Sequence, residues 1–164
     1  MTTLKTLKDL YVEQLRDLYS AETQLVQALP KMAAAATDPT LKQGFERHLD
    51  QTRVQAQRLE SVFRDVGEAP GGHICQALQG LIAEGEEMIR EDAVAAVKDA
   101  GLIACAQRVE HYEIAGYGTV VRYAEVLQLP DHAQQLRTSE LEEKDTDLAL
   151  SSASSAINQQ AALA

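Results

Sequence analysis

The chain has no tryptophan, and only 4% of its 164 residues are aromatic. Nine glycines and four prolines leave few obligatory breaks, and β-branched and aromatic residues are too sparse to favour a sheet. Its two cysteines, Cys75 and Cys105, form no Cys-x-x-Cys pair, which argues against a zinc site or a disulfide framework. No apolar run is long enough for a membrane span. The N-terminus (MTTLKTLKDLYVEQL) is too charged to be a signal peptide, so a cytoplasmic location is expected. Basic residues are also outnumbered: 15 Lys and Arg against 25 Asp and Glu give a net charge of −10 and disfavour nucleic acid or anionic membrane. No phosphate loop, nucleophile elbow or nucleotide fingerprint is present.

What remains is rich in Ala, Leu, Glu and Gln, the composition of long helices. Apolar periodicity predicts a first helix over about 4–36, with Leu4, Tyr11, Leu15, Leu18, Leu29 and Ala33 facing inward and a kink at Pro30. Asp38-Pro39 makes a turn and a cap, and a second helix follows over about 40–66. The break GEAPGG (67–72) precedes a short amphipathic helix near 74–88. A third long helix is expected over about 92–127, a turn at Leu129-Pro130-Asp131, and a fourth over about 131–157 with a fraying tail. Two short turns and one connection of roughly 25 residues are the ferritin-like arrangement of a four-helix bundle with a single crossover. The expected fold class is therefore all-α, one ferritin-like domain over 1–164 with its core at about 4–157.

Polar residues interrupt the inward face of every long helix. On a wheel of about 100° per residue, Ile103, Ala106, Tyr117, Val121 and Ala124 lie within about 40° of Glu110, and Glu113 lies about 60° away. Glu22 is centred on the inward face of the first helix. His48, Gln51, Thr52 and Gln55 interrupt the second, and Glu143 and Asp147 share a face of the fourth. Measured from the turns at about 1.5 Å per residue, these groups meet at one level, some 20–28 Å along the bundle. Each alone has a plain explanation: an inward Glu bonded to Arg or Tyr, a core histidine, or two amides paired with each other. The Tyr19 and Tyr117 hydroxyls could bond such a carboxylate. His111 and Tyr112 point elsewhere, towards a second contact surface. Together, five buried acids without an evident inward cation would repel one another, and a divalent metal resolves that conflict.

The segments YSAETQL (19–25), QRVEHYEIAGYGT (107–119) and LEEKDTD (141–147) resemble the YciE/YciF family of ferritin-like bacterial stress proteins over about 4–150. The resemblance implies a bundle, usually dimeric, associated with stress responses. It also implies that Glu22, Glu110, Glu143 and Asp147 face a metal centre, with Glu113 a further candidate. Helix two departs from the pattern: relatives tend to carry Glu at the position of Gln51 and often His at that of Gln55. No Glu-x-x-His occurs in this chain, so one position of a di-iron carboxylate centre is expected to be weak or empty, with His48 as partial substitute. The expected ligand set is Glu22, His48, Gln51, Gln55, Glu110, Glu113, Glu143 and Asp147, the cofactor iron or manganese, and the assembly a homodimer. Two other functions stay open: a metal-free helical dimer that binds a partner, and a peroxidase- or catalase-like di-metal oxidoreductase. Catalysis itself is left undecided.

Overall fold

The computed structural model describes residues 4–164 as five helices: α1 (Leu7–Ala35), α2 (Pro39–Val66), α3 (Gln76–Arg90), α4 (Ala95–Val126) and α5 (Pro130–Ala161). No strand occurs among the described residues. The long helices α1, α2, α4 and α5 form the ferritin-like bundle. Its hairpin pairs are α1/α2 and α4/α5; α1 also packs on α4 and α2 on α5. The crossover helix α3 lies against α1 and α4.

Local chemistry sets the ends. Thr6 and Asp9 form a reciprocal capping box at the start of α1, and Asp38 caps α2 ahead of Pro39. Gly67, at φ 73°, ends α2 in the left-handed region that a side chain disfavours. Helix α1 starts after Leu4, which is largely exposed rather than inward as expected. The tail does not fray at Ile157: α5 continues to Ala161, anchored by the buried Ile157 and built of good helix formers.

Two core clusters fill the bundle. One centres on Leu25, Leu41, Phe45, Leu78, Leu102 and Ile103, and the other on Tyr11, Leu15, Leu59, Phe63, Tyr117 and Leu136. Leu78 of the crossover is fully buried against this chain's own core and Leu81 packs on it, so neither needs a second subunit to cover it. Ile74 stays 66% exposed.

The α1–α2 turn is held from across the bundle. The buried Asp99 carboxylate of α4 accepts from the Thr37 amide (2.8 Å), the Asp38 amide (2.8 Å) and the Thr37 hydroxyl (2.5 Å). It satisfies donors that the end of a helix would otherwise leave bare. Asp99→Ala is expected to cost about 2 kcal/mol by stranding those donors. For a domain of this size that is a Tm fall of roughly 4–8 °C in a thermal melt; an unchanged Tm would refute this role.

A candidate metal centre in the bundle core

Helical spacing delivers the site. On α4, Glu110, Glu113 and Tyr117 occupy one inward arc, and Gly116 lies between the last two. A Cβ at Gly116 would stand 2.8 Å from Leu18 Cδ2, so its absence lets α1 and α4 approach closely at this level. Across that contact the Tyr117 hydroxyl donates to Glu22 Oε1. On α2, His48 and Gln55 are seven residues apart and therefore nearly in line. Glu143 enters from α5.

His48, Glu110, Glu113 and Glu143 each offer one ligand atom, and these atoms all lie within 4.8 Å of one another. His48 Nε2 is 3.2 Å from Glu110 Oε1 and 3.9 Å from Glu143 Oε2. All four are buried, as are Glu22 and Gln55. The Gln55 amide nitrogen donates to Glu143 Oε1 and, at 3.1 Å, to Glu142 Oε2. Eight buried side-chain N and O atoms at this level make no well-directed hydrogen bond, including both oxygens of Glu113 and both ring nitrogens of His48, whose Nε2 only approaches Glu110 as an ion pair. Stranded atoms at this density are costly unless something they can ligate or share protons with lies among them.

The electrostatics follow from the crowding. Burial pushes Glu22 up to about 8, against the opposing pull of the Tyr117 hydrogen bond and of His48. Glu113 is held well above the ordinary carboxyl range by burial and then by Glu22, Glu143 and Glu110. Glu143 is raised likewise, by burial first and then by Glu110 and Glu22. Burial alone would lower His48, but Glu110 and Glu22 outweigh it and raise the imidazole. Tyr117 is raised by burial and by Glu22, so its hydroxyl stays a donor. Crowding and burial thus favour the protonated carboxyls, and a cation among them would favour the carboxylates.

Four of the eight expected residues lie outside this group of four: Glu22 and Gln55 are buried beside it, and Asp147 and Gln51 are turned away from it. Asp147, half-buried on the α4/α5 seam, accepts from the Gln107 amide at 3.1 Å and has His111 Nε2 at 3.6 Å. Its one-turn offset from Glu143 rotates it about 40° off the bundle axis. Gln51, offset in the same way from Gln55, stays half-buried on the wall of a cleft between α2 and α5. Tyr19 bonds Glu60 at 2.9 Å rather than a site acid. Tyr112, expected on a second contact surface, instead ties the crossover down: its hydroxyl donates to Asp17 and lies 2.9 Å from Cys75 Sγ.

An adjoining ion pair left no signal in the sequence pattern. Arg58 donates to Glu142 Oε2 (2.9 Å) and to the Ser139 hydroxyl (2.6 Å), placing a half-buried cation beside the cluster and not on its ligands. Arg58 lies one turn beyond Gln55, but nothing in the local sequence pairs it with Glu142, 84 positions away.

Relatives share this scaffold. The Escherichia coli K12 protein YciF is 42% identical over 148 residues, 90% of this chain and 89% of that protein. The crystal structure of the E. coli stress protein YciF matches with a TM-score of 0.92 at 39% identity, covering 95% of this chain and 99% of the other. YcfI of Rhodopseudomonas palustris, presented as a candidate structural protein, matches with a TM-score of 0.87 at 45% identity over 90% of this chain and 94% of its own. A Xanthomonas campestris protein, 19% identical with a TM-score of 0.75, shares the fold. The DUF892 family model, a domain of unknown function, matches residues 6–163. The chain thus belongs to the DUF892 family and is a relative of the stress protein YciF.

Proposed function

We propose that the protein binds a divalent transition metal, iron or manganese, at mid-height in its bundle, through His48, Glu110, Glu113 and Glu143. The observation that carries this reading is the set of eight buried, unpartnered N and O atoms on the inner faces of α1, α2, α4 and α5. Three carboxylates with one imidazole form a hard donor set suited to iron or manganese, and no thiolate competes. When bound, such an ion supplies a redox-capable Lewis acid. Glu22 stands beside the ligands with one oxygen held by Tyr117 and the other unpartnered, which suits it to bridge to a further ion or to hold a proton. Gln55 presents an amide where a second ion would need a charged donor, and Gln51 stands back from the centre. This favours one strong site over a di-iron pair, and metal binding over peroxidase- or catalase-like turnover.

The test is elemental analysis of protein purified without chelator. Near one iron or manganese per chain is the expected result. Protein that stays metal-free after equilibration with Fe(II) or Mn(II) would overturn the reading in favour of a metal-free structural or partner-binding protein, a reading that YcfI's description as a candidate structural protein favours. The association with stress carries over from YciF. Assembly as a homodimer is proposed with it; Ile74 and Val94 are exposed apolar residues of the crossover connection that a partner would cover. Light scattering at micromolar concentration tests this, and a clean monomer contradicts it.

A further inference from the structure

A cavity of about 150 Å³ opens between α2 and α5 and ends on the metal-binding cluster. The exposed Arg47 and Asp145 stand at its mouth, Gly44, Gln51 and Thr146 are half-buried along it, and the buried His48 and Glu110 close its inner end. This volume holds several waters, and the polar groups at both ends suit a hydrated ion. The opposite approach is unlike it. Beneath α3 a pocket of about 30 Å³ also touches Glu110, but Leu25, Met32, Ile82 and Val109 wall it with hydrocarbon. Its outer carboxylate, Glu86, is already paired with Lys31, so an ion shedding its water there would cross hydrocarbon before it reached Glu110.

We infer that the α2–α5 cleft is the loading route for the core site, by which a divalent cation enters past Gly44 and is first taken by His48 and Glu110. The inference rests on the metal-binding reading and adds a direction of entry to it. Gly44 lines the route, and a Cβ built there meets nothing within 4 Å, so the space beside it can take a larger side chain. At the mouth the Asp145 carboxylate stands alongside Arg47, and the ligands at the inner end are among those with unpartnered atoms. Glu113 and Glu143 do not line the cleft; they complete the coordination once the ion has passed His48.

Gly44→Phe fills the cleft from α2, one turn before His48, and Ala149→Phe fills it from α5. Gly44→Ala leaves it open and serves as control. Uptake of Mn(II) by the metal-free protein can be followed by freeze-quench EPR, which reads loss of the free-ion signal, together with final occupancy by elemental analysis. Either Phe variant should slow uptake by about tenfold or more, equivalent to roughly 1.4 kcal/mol in barrier, with final occupancy unchanged. Chelator extraction from the loaded protein should slow in step, and Gly44→Ala should match wild type. Circular dichroism decides which Phe variant is read: if Gly44→Phe loses helix, Ala149→Phe carries the test. Uptake at the wild-type rate in a folded Phe variant overturns the route while leaving the site intact. A fall in final occupancy with no change in rate also overturns it, since the substitution would then be acting on the site. Wild-type protein that takes up no Mn(II) removes the metal reading and the route together.

Discussion

Manganese or ferrous iron at about a thousand times its Kd should raise the Tm of the wild-type protein by roughly 8–16 °C. The free energy is that of linkage, about 4 kcal/mol at this excess for a ligand that binds only the folded chain. A domain of 150–250 residues gains about 2–4 °C per kcal/mol. The unfolded chain cannot compete, because His48, Glu110 and Glu143 come from three separate helices and meet only in the bundle. Glu110→Gln should erase most of the gain while keeping helix content, since it removes a charged ligand from the centre of the cluster without changing its size. Gln55→Glu should act in the opposite sense. Metal-free, it adds a carboxylate against Glu143 and lowers the Tm; metal-loaded, it enlarges the response or admits a second ion. Adding Gln51→Glu should contribute little, because that side chain lies on the cleft wall. Differential scanning calorimetry with and without metal reads all of these. Equal melts for wild type and Glu110→Gln in excess metal would contradict the assignment.

The metal-free protein should lose stability as pH rises from about 4.5 to 8. Glu22 has an ordinary value of 4.5 and is pushed up to about 8 in the fold, burial being the largest cause. Over that window the folded state holds a proton that the unfolded state has released, so stability is fullest below 4.5 and is lost as pH climbs through 8. Glu113 and Glu143 are raised in the same sense. His48 is raised too, so its contribution is also present at low pH and lost as pH rises. At about 1.4 kcal/mol per pH unit, Glu22 alone represents on the order of 5 kcal/mol in full, of which about 3.5 is lost between pH 5 and pH 8, a Tm lower by roughly 7–14 °C. Metal reverses the slope: protons and ion compete for the same oxygens, so the gain in Tm on adding Mn(II) should be larger at pH 8 than at pH 5.5. A metal-free Tm that rises steadily over this range would show that the acids ionise freely and that the cluster is not desolvated.

The pattern of these residues shows what a sequence reveals and where it stops. Helix order, the crossover and the turns at Asp38-Pro39, 67–72 and Pro130 were legible because caps and breakers act locally. The inward acids on α1 and α4 were legible because the wheel angle of a residue on one helix does not depend on its neighbours. Choosing between residues one turn apart is a different problem. Glu143 and Asp147, or Gln55 and Gln51, differ by only about 40° on the wheel, so the packing of the adjacent helix decides which reaches the axis. Gln107 and His111 on α4 meet Asp147 at the seam and leave Glu143 to the centre. Asp99 is a different kind of omission. It lies about 20° from Glu110 on the same wheel, yet its partners are backbone amides of the α1–α2 turn, which no periodicity encodes. The fate of Leu78 also needed the fold: an apolar stripe on a crossover helix reads alike whether its own bundle or a second subunit covers it.

Anomalous diffraction from crystals grown with Mn(II), collected on the two sides of the manganese edge, locates the ion in the fold. The expected result is one strong peak enclosed by His48, Glu110, Glu113 and Glu143, with Glu22 adjacent and still bonded by Tyr117. Density in which those carboxylates are bridged by protons or waters, with manganese only at surface acids, would contradict it.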